Sequence, residues 1–325
     1  NETFEVWTYP LKILRDFRLA FEIEGYPLPY DGRDLMTRVE VRPEATTITY
    51  THAAFTIRQI VFAPIDEPGL VMLLDVDSTR PLTISGIFRP DLRLMWPGAL
   101  PTENTSFDGD ADRYTMTVEG HPYAAVVGAP GAEDVSLQPY QEEPRDVPAR
   151  FVLETTPEQT DAYLLPIVMA GSLDGPEAAH ATYDRLLQNI PSQYQQTVEH
   201  YRSVVSETMQ IDTPDDRLDE AFTWAKVGMD KGMATNPLLG TGLLAGFRTS
   251  GDSERPGFAW YFGRDALWTA FALTAAGDTA ATRQALDFLA QYQRDDGKIP
   301  HEISQSATTV DWFDDFPYPW ASADA

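Results

Sequence analysis

The sequence has 325 residues, of which 43% are hydrophobic, which is enough for about two domain cores and excludes a disordered chain. Its 50 acidic residues against 24 lysines and arginines give a formal net charge of −26, which disfavours binding to nucleic acids or anionic membranes. The absence of cysteine excludes disulfides, thiolate metal sites and a cysteine nucleophile, but it does not identify the compartment.

The character of the chain changes near residue 173. Before that point, polar and apolar residues alternate over 46–50, 55–62 and 82–88, and two more continuously apolar stretches cover 69–77 and 162–170. Glycine and proline turn signals separate these stretches. About ten strands without a helical period predict a large antiparallel sandwich over residues 1–172.

Beyond residue 173 the apolar residues recur with a helical period. Two helices, over 174–189 and 192–209, form a predicted helical linker that covers residues 173–212. Thr213 and Pro214, followed by acidic residues, are typical of a helix start. The helical domain is therefore predicted to begin at residue 213.

The helices of residues 213–325 are predicted to come in pairs. Residues 265–276 are apolar all round, which predicts a helix buried on every side. An amphipathic helix then begins at Thr279, with Leu286, Leu289 and Tyr292 directed inward, and ends before Asp296 and Gly297. Pairs of one half-exposed and one buried helix, joined by long loops, are typical of an (α/α) toroid, whereas the alternative is a self-contained small helical domain.

The first group of candidate binding or catalytic residues precedes the apolar helix. It runs from Arg255 through Trp260 to the adjacent pair Arg264 and Asp265. Aromatic rings offer apolar faces to sugars, and arginine and carboxylate side chains make paired hydrogen bonds to vicinal hydroxyls. A structural ion pair at the helix start is the alternative interpretation.

Two later groups resemble the first in composition. One runs from Asp295 to Glu302 and includes Lys298 and His301, although a helix stop followed by a solvated turn is the simpler interpretation. The other covers 311–324 and interleaves acids with aromatic residues, which would be stranded on the surface of an ordinary loop. This mixture is typical of a sugar site.

At these residues the sequence resembles a known family. Phe262-Gly263-Arg264-Asp265, Asp296-Gly297-Lys298-Ile299-Pro300 and Ala323-Asp324-Ala325 together resemble the glycogen-debranching amylo-α-1,6-glucosidases. These belong with glucoamylases among the six-hairpin (α/α)6 glycosidases. The stretch from Phe4 to Lys12 is similar to the start of the β-super-sandwich that precedes the toroid in bacterial members.

The resemblance implies roles for individual residues. In the glucoamylase-like group the Arg–Asp pair binds the sugar at the cleavage subsite, which implies Arg264 and Asp265 here. The later Asp-Ala motif implies Asp324 as general acid, with Glu302 as reserve. The predicted site residues are Asp324 and Glu302 as catalytic carboxylates, and Trp260, Arg264, Asp265, Lys298, His301, Trp312 and Trp320 for substrate binding.

The predicted function is a glycoside hydrolase that cleaves α-glucosidic linkages of oligo- or polysaccharides by inversion. A non-catalytic carbohydrate-binding or scaffold protein and a polysaccharide lyase are the alternatives. Neither a cofactor nor a metal is expected, because the histidines lack ligand spacing. Since a closed toroid needs about six helix pairs, the chain is expected to need further hairpins as a partner, and its apolar flanks over 265–276 and 280–294 would otherwise be exposed.

Overall fold

The structure is a computed structural model that describes residues 4–95, 103–137, 147–160, 163–247 and 257–321. Contacts divide the chain into two compact units, one of residues 1–93 with 100–198 and one of residues 94–99 with 199–325. The first is called the strand unit and the second the helical unit.

The first fourteen strands form two sheets. They are β1 (Val6–Thr8), β2 (Leu11–Ile23), β3 (Tyr30–Asp31), β4 (Met36–Val41), β5 (Thr46–His52), β6 (Phe55–Phe62), β7 (Gly69–Ser78), β8 (Leu82–Leu94), β9 (Glu103–Asp108), β10 (Arg113–Val118), β11 (Ala124–Gly128), β12 (Glu133–Asp134), β13 (Ala149–Thr155) and β14 (Leu165–Ser172). In the described part of the chain, one sheet has the order β1-β2-β8-β13-β12 with β3 beside β2. The other has the order β4-β5-β6-β7-β14-β11-β10-β9, and each of its pairs is antiparallel.

The core of the strand unit lies between the two sheets. The ring of Phe21 on β2 lies 5.4 Å from that of Tyr50 on β5 and 5.1 Å from that of Phe55 on β6. Phe88 on β8 meets Tyr114 on β10 at 5.4 Å. Since these rings come from opposite sheets, the sheets pack face to face, and the predicted antiparallel strands are confirmed.

The described helices are concentrated after the strands. They are α1 (Gly32–Leu35), α2 (Pro157–Thr160), α3 (Pro176–Gln188), α4 (Ile190–Ser206), α5 (Asp216–Gly232), α6 (Gly263–Ala276), α7 (Thr279–Gln291) and α8 (Trp312–Asp315). Buried Ala179, Tyr183 and Leu186 join α3 to the apolar cluster of the second sheet. None of the described helices has the length and apolar character needed to cross a membrane.

Two short pairs of strands accompany the described helices of the helical unit. Their strands are β15 (Met233–Asn236), β16 (Gly240–Leu243), β17 (Tyr261–Phe262) and β18 (Glu302–Ile303). β15 pairs with β16, and β17 pairs with β18. The last two strands are far apart in sequence, so their pairing links the loop before α6 to the loop after α7.

The prediction that residues 265–276 are buried on every side is wrong. On α6, Trp268 is 70% exposed and Phe271 is 69% exposed. Of the residues of α7 predicted to point inward, Leu286 is exposed and Leu289 is buried. A helix that is apolar all round needs neighbours on every side, and no element in the described part of the chain covers this face. The other expectation, an exposed apolar flank on this helix, agrees with the structure.

Candidate functional site

The pairing of β17 with β18 brings two of the predicted groups together. Phe262 pairs with Glu302, and Tyr261 pairs with Ile303. The next backbone N–H, that of Gly263, donates to the carbonyl of His301 at 3.1 Å. The first turn of α6 and the strand that carries Glu302 are therefore adjacent.

Arg264 and Asp265 lie in the first turn of α6. A guanidinium nitrogen of Arg264 is 3.8 Å from a carboxylate oxygen of Asp265, and the two side chains are 46% and 40% exposed. The N-terminal end of a helix dipole stabilises a negative charge at the position of Asp265. Both side chains are partly exposed at the start of the helix.

Glu302, on β18, has a side-chain carboxyl with a strongly shifted pKa. Burial raises its pKa from 4.5 to about 7, because a half-desolvated carboxylate is less stable than the neutral acid. A carboxyl that keeps its proton near neutral pH can act as a general acid. The strand pairing thus places a candidate proton donor on β18, whose partner strand β17 directly precedes the helix turn of Arg264 and Asp265.

Trp260 and Trp312 do not present a face to a ligand in this structure, which corrects their predicted contact with sugar. Trp260 is 2% exposed and Trp312 is fully buried. Their rings meet edge to face at 5.4 Å, and Phe316 stacks on Trp312 at 5.2 Å. Both tryptophans form the interior of the loop region because their large apolar surfaces are more stable there.

Lys298 and Trp320 join the second and third predicted groups. The Lys298 ammonium donates to the Trp320 carbonyl at 2.8 Å, at the end of the 3-10 turn Tyr318–Trp320. The guanidinium of Arg294 lies 5.0 Å from the centre of the half-buried Trp320 ring. These contacts hold the loops together, so Lys298 has a structural partner here.

His301 also lies in this region. Its backbone N–H donates to the Pro319 carbonyl at 2.7 Å, and its half-buried ring meets the Phe262 ring at right angles at 5.6 Å. The structure therefore brings Arg264, Asp265, Lys298, His301, Glu302 and Trp320 into one loop region. Asp324, the predicted general acid, lies outside the described residues.

Two exposed aromatic residues were not selected from the sequence. Phe258 is 65% exposed and its ring lies 6.0 Å from that of Phe262, while Tyr318 is 49% exposed and stacks against Trp312. Both belong to the predicted aromatic groups. Residue size favours tryptophan as the sugar platform, but only the tertiary structure shows which rings remain at the surface.

A cleft of about 540 Å³ lies in the strand unit and contains none of the predicted site residues. Its lining includes Glu22, Tyr26 and Glu154. Within the described residues, no group of three or more His, Asp or Glu side chains is arranged to hold a metal ion.

The comparisons with known proteins rest on structure. No family profile matches the chain, and no curated protein matches it by sequence. A bacterial glucoamylase solved with acarbose matches with a TM-score of 0.60 at 13% identity, over 91% of this chain and 47% of its own. The chain therefore shares the fold of part of that glucoamylase and spans about half of its length.

Two further solved structures match less well. A glycosyl hydrolase of the GH92 family has a TM-score of 0.38 at 12% identity, over 59% of this chain and 28% of its own. An α-N-acetylgalactosaminidase from Bifidobacterium bifidum, solved with GalNAc, has a TM-score of 0.34 at 9% identity, over 66% of this chain and 43% of its own.

Proposed function

We propose that this chain belongs to a glycoside hydrolase that cleaves α-glucosidic linkages of oligo- or polysaccharides, with inversion. The observation that carries the proposal is the pairing of β17 with β18, which brings the strand of Glu302 beside the segment that leads into the Arg264–Asp265 pair. The fold shared with a bacterial glucoamylase and the sequence resemblance to amylo-α-1,6-glucosidases support it.

The proposed chemistry needs two carboxyl groups in different protonation states. An inverting enzyme uses one protonated acid for the leaving oxygen and one carboxylate that activates water. The resemblance assigns the acid to Asp324, and Glu302 is the reserve because its pKa is raised to about 7. The activating base is proposed to lie outside these residues.

Substrate binding is assigned to the exposed groups of the same region. Arg264 and Asp265 would hold vicinal hydroxyls of the sugar at the cleavage subsite. Phe258 and Tyr318 offer exposed rings for the apolar face of a sugar. The net charge of −26 disfavours the anionic uronate substrates of a polysaccharide lyase.

The domain assignment is part of the same proposal. Residues 1–172 would form a β-super-sandwich, 173–212 a helical linker, and 213–325 the first part of an (α/α)6 toroid. The exposed Trp268 and Phe271 would then be covered by further hairpins, in the same polypeptide or in a second chain. A small helical domain would also expose this face, but the shared fold over 91% of the chain favours the toroid.

The proposal is tested with the complete gene product and a panel of neutral α-glucosides. New reducing ends without unsaturated products support hydrolysis, and NMR of the first product anomer tests inversion. Unsaturated products would identify a lyase, and binding without turnover would identify a carbohydrate-binding protein.

The roles of the carboxylates are tested with three variants: Asp265→Asn, Glu302→Gln and Asp324→Asn. Each is assayed with an ordinary glycoside and with one that has an activated leaving group, which needs no protonation. Activity of the Asp324→Asn variant should be partly rescued, whereas that of Asp265→Asn should not. Rescue of Glu302→Gln alone would move the acid to Glu302. Asp287→Asn, an exposed change on α7, is the matched control.

A further inference from the structure

Two buried amide side chains link the segments next to β15, β17 and β18. Asn236, at the end of β15, and Gln305, two residues after β18, are both fully buried. The Asn236 amide nitrogen donates to the Gln305 backbone carbonyl at 2.7 Å and to the Gln305 side-chain oxygen at 3.0 Å. The two residues are 69 positions apart, so this contact is purely tertiary.

Further hydrogen bonds of these two amides reach the segment before β17 and the turn after β15. The Gln305 amide nitrogen donates to the carbonyl of Ala259, which precedes β17, at 3.2 Å. The Asn236 side-chain oxygen accepts from the N–H of Leu238 at 2.9 Å. The segment before Arg264 and the segment after Glu302 are thereby attached to each other and to β15.

A second bond supports the same connection. The hydroxyl of the buried Tyr261, on β17, donates to the carbonyl of Ala234 on β15 at 3.1 Å. Hydrogen bonds between buried amides are directional, and a buried amide without its partner is costly. These amides therefore specify one register for the loops, which apolar side chains of the same size would not.

We propose that Asn236 and Gln305 are positioning residues that hold Glu302 in register with the Arg264–Asp265 pair for the hydrolysis of a neutral glycoside. The inference rests on the proposed function, and it concerns residues that do not touch the substrate. The same connection fixes the strand that carries the half-buried Glu302 carboxyl, so a shift of that strand would change the exposure of the carboxyl to water.

The test uses Gln305→Met and Asn236→Leu in the complete gene product. Both substitutions keep the side chain's approximate size and remove its hydrogen bonds. The control is Gln59→Met, since Gln59 is a buried glutamine of β6 that accepts from the Tyr50 hydroxyl at 2.7 Å in the strand unit. All three variants are expected to lower the melting temperature.

Only Gln305→Met and Asn236→Leu should affect the site. The kcat should fall by about tenfold to a hundredfold, as for other small displacements of catalytic groups, with KM changed by less than about twofold. The pKa of Glu302, followed by NMR of a 13C-labelled carboxyl, should fall from about 7 toward 4.5 as water reaches it. Gln59→Met should leave both quantities unchanged.

The outcomes separate this inference from the proposed function. If the unmodified protein hydrolyses no glycoside, the proposed function fails, while the NMR titration still decides the positioning role. The positioning role is overturned if Gln305→Met and Asn236→Leu lower the stability but leave the pKa of Glu302 unchanged. Where turnover exists, an unchanged kcat in both variants would overturn it as well.

Discussion

The indole nitrogen of Trp312 donates to the backbone carbonyl of Glu302 at 3.0 Å. Trp312 is fully buried and packs against Trp260 and Phe316, so an aromatic interior supports the strand that carries the raised-pKa carboxyl. The most buried ring of the third predicted group thus stabilises the site from within.

Replacement of Trp312 by phenylalanine should destabilise the protein. The substitution keeps one aromatic ring but leaves the Glu302 carbonyl without its indole donor and creates a small void. The expected loss is about 1–3 kcal/mol in the free energy of unfolding, measured by urea denaturation. Trp268→Phe, on the exposed face of α6, should change it by less than about 0.5 kcal/mol. Equal losses in the two variants would contradict the structural role of Trp312.

The raised pKa of Glu302 predicts a pH dependence of stability. The folded protein keeps a proton at about pH 7 that an ordinary glutamate loses near 4.5, so it binds more protons than the unfolded chain between these values. The contribution of this group is therefore fully present below pH 4.5 and decreases as the pH rises through about 7.

Glu302→Gln should remove that dependence. The variant should match the unmodified protein at pH 4 and exceed its stability at pH 8 by about 1–2 kcal/mol, a value reduced for the partial exposure of the carboxyl. Urea denaturation across this pH range measures the difference. Curves that remain parallel at all pH values would show that Glu302 titrates normally.

Lys12 is the main buried charge of the strand unit. Its ammonium lies 2.9 Å from a carboxylate oxygen of Glu5 and 2.9 Å from one of Asp91, and its side chain is fully buried. Lys12→Met would remove the cation beside Glu5 and Asp91, although Asp91 keeps a guanidinium nitrogen of Arg93 at 3.0 Å, and should cost about 3 kcal/mol in the free energy of unfolding. Arg217→Met removes an exposed partner of Asp215 and should cost less than about 1 kcal/mol. A small loss for Lys12→Met would mean that the network rearranges around the methionine.

The exposed face of α6 gives a test of the proposed toroid. In residues 1–325 alone, the double variant Trp268→Ser, Phe271→Ser should change the free energy of unfolding by less than about 1 kcal/mol, because both rings are at the surface. Self-association, measured by analytical ultracentrifugation, should decrease.

In the complete gene product the same double variant should behave differently. If further hairpins cover this face, the loss should exceed about 3 kcal/mol, as expected for buried aromatic residues. A negligible loss there as well would favour a small helical domain with a solvent-exposed α6.

The sequence alone predicted that strands precede helices and that α6 begins near Arg264 and Asp265, but it did not predict the short strands β15 to β18 among the helices. Alternation over 55–62 and the apolar stretch over 265–276 are local signals, because side-chain direction repeats every two residues in a strand and an apolar stretch of this length exceeds a typical strand. Both segments adopt the predicted structure, as β6 (Phe55–Phe62) and α6 (Gly263–Ala276). The Arg264–Asp265 pair could likewise be placed at a helix start from local sequence.

Only the tertiary structure decided which residues meet where β17 pairs with β18, and which rings are buried. The pairing of Phe262 with Glu302 and the bond from Asn236 to Gln305 join distant segments, so no local period predicts them. Trp312 is buried and Trp268 is exposed although their residue type is the same. Burial depends on the neighbours that the fold supplies on each side, and the proton held by Glu302 near neutral pH follows from that burial.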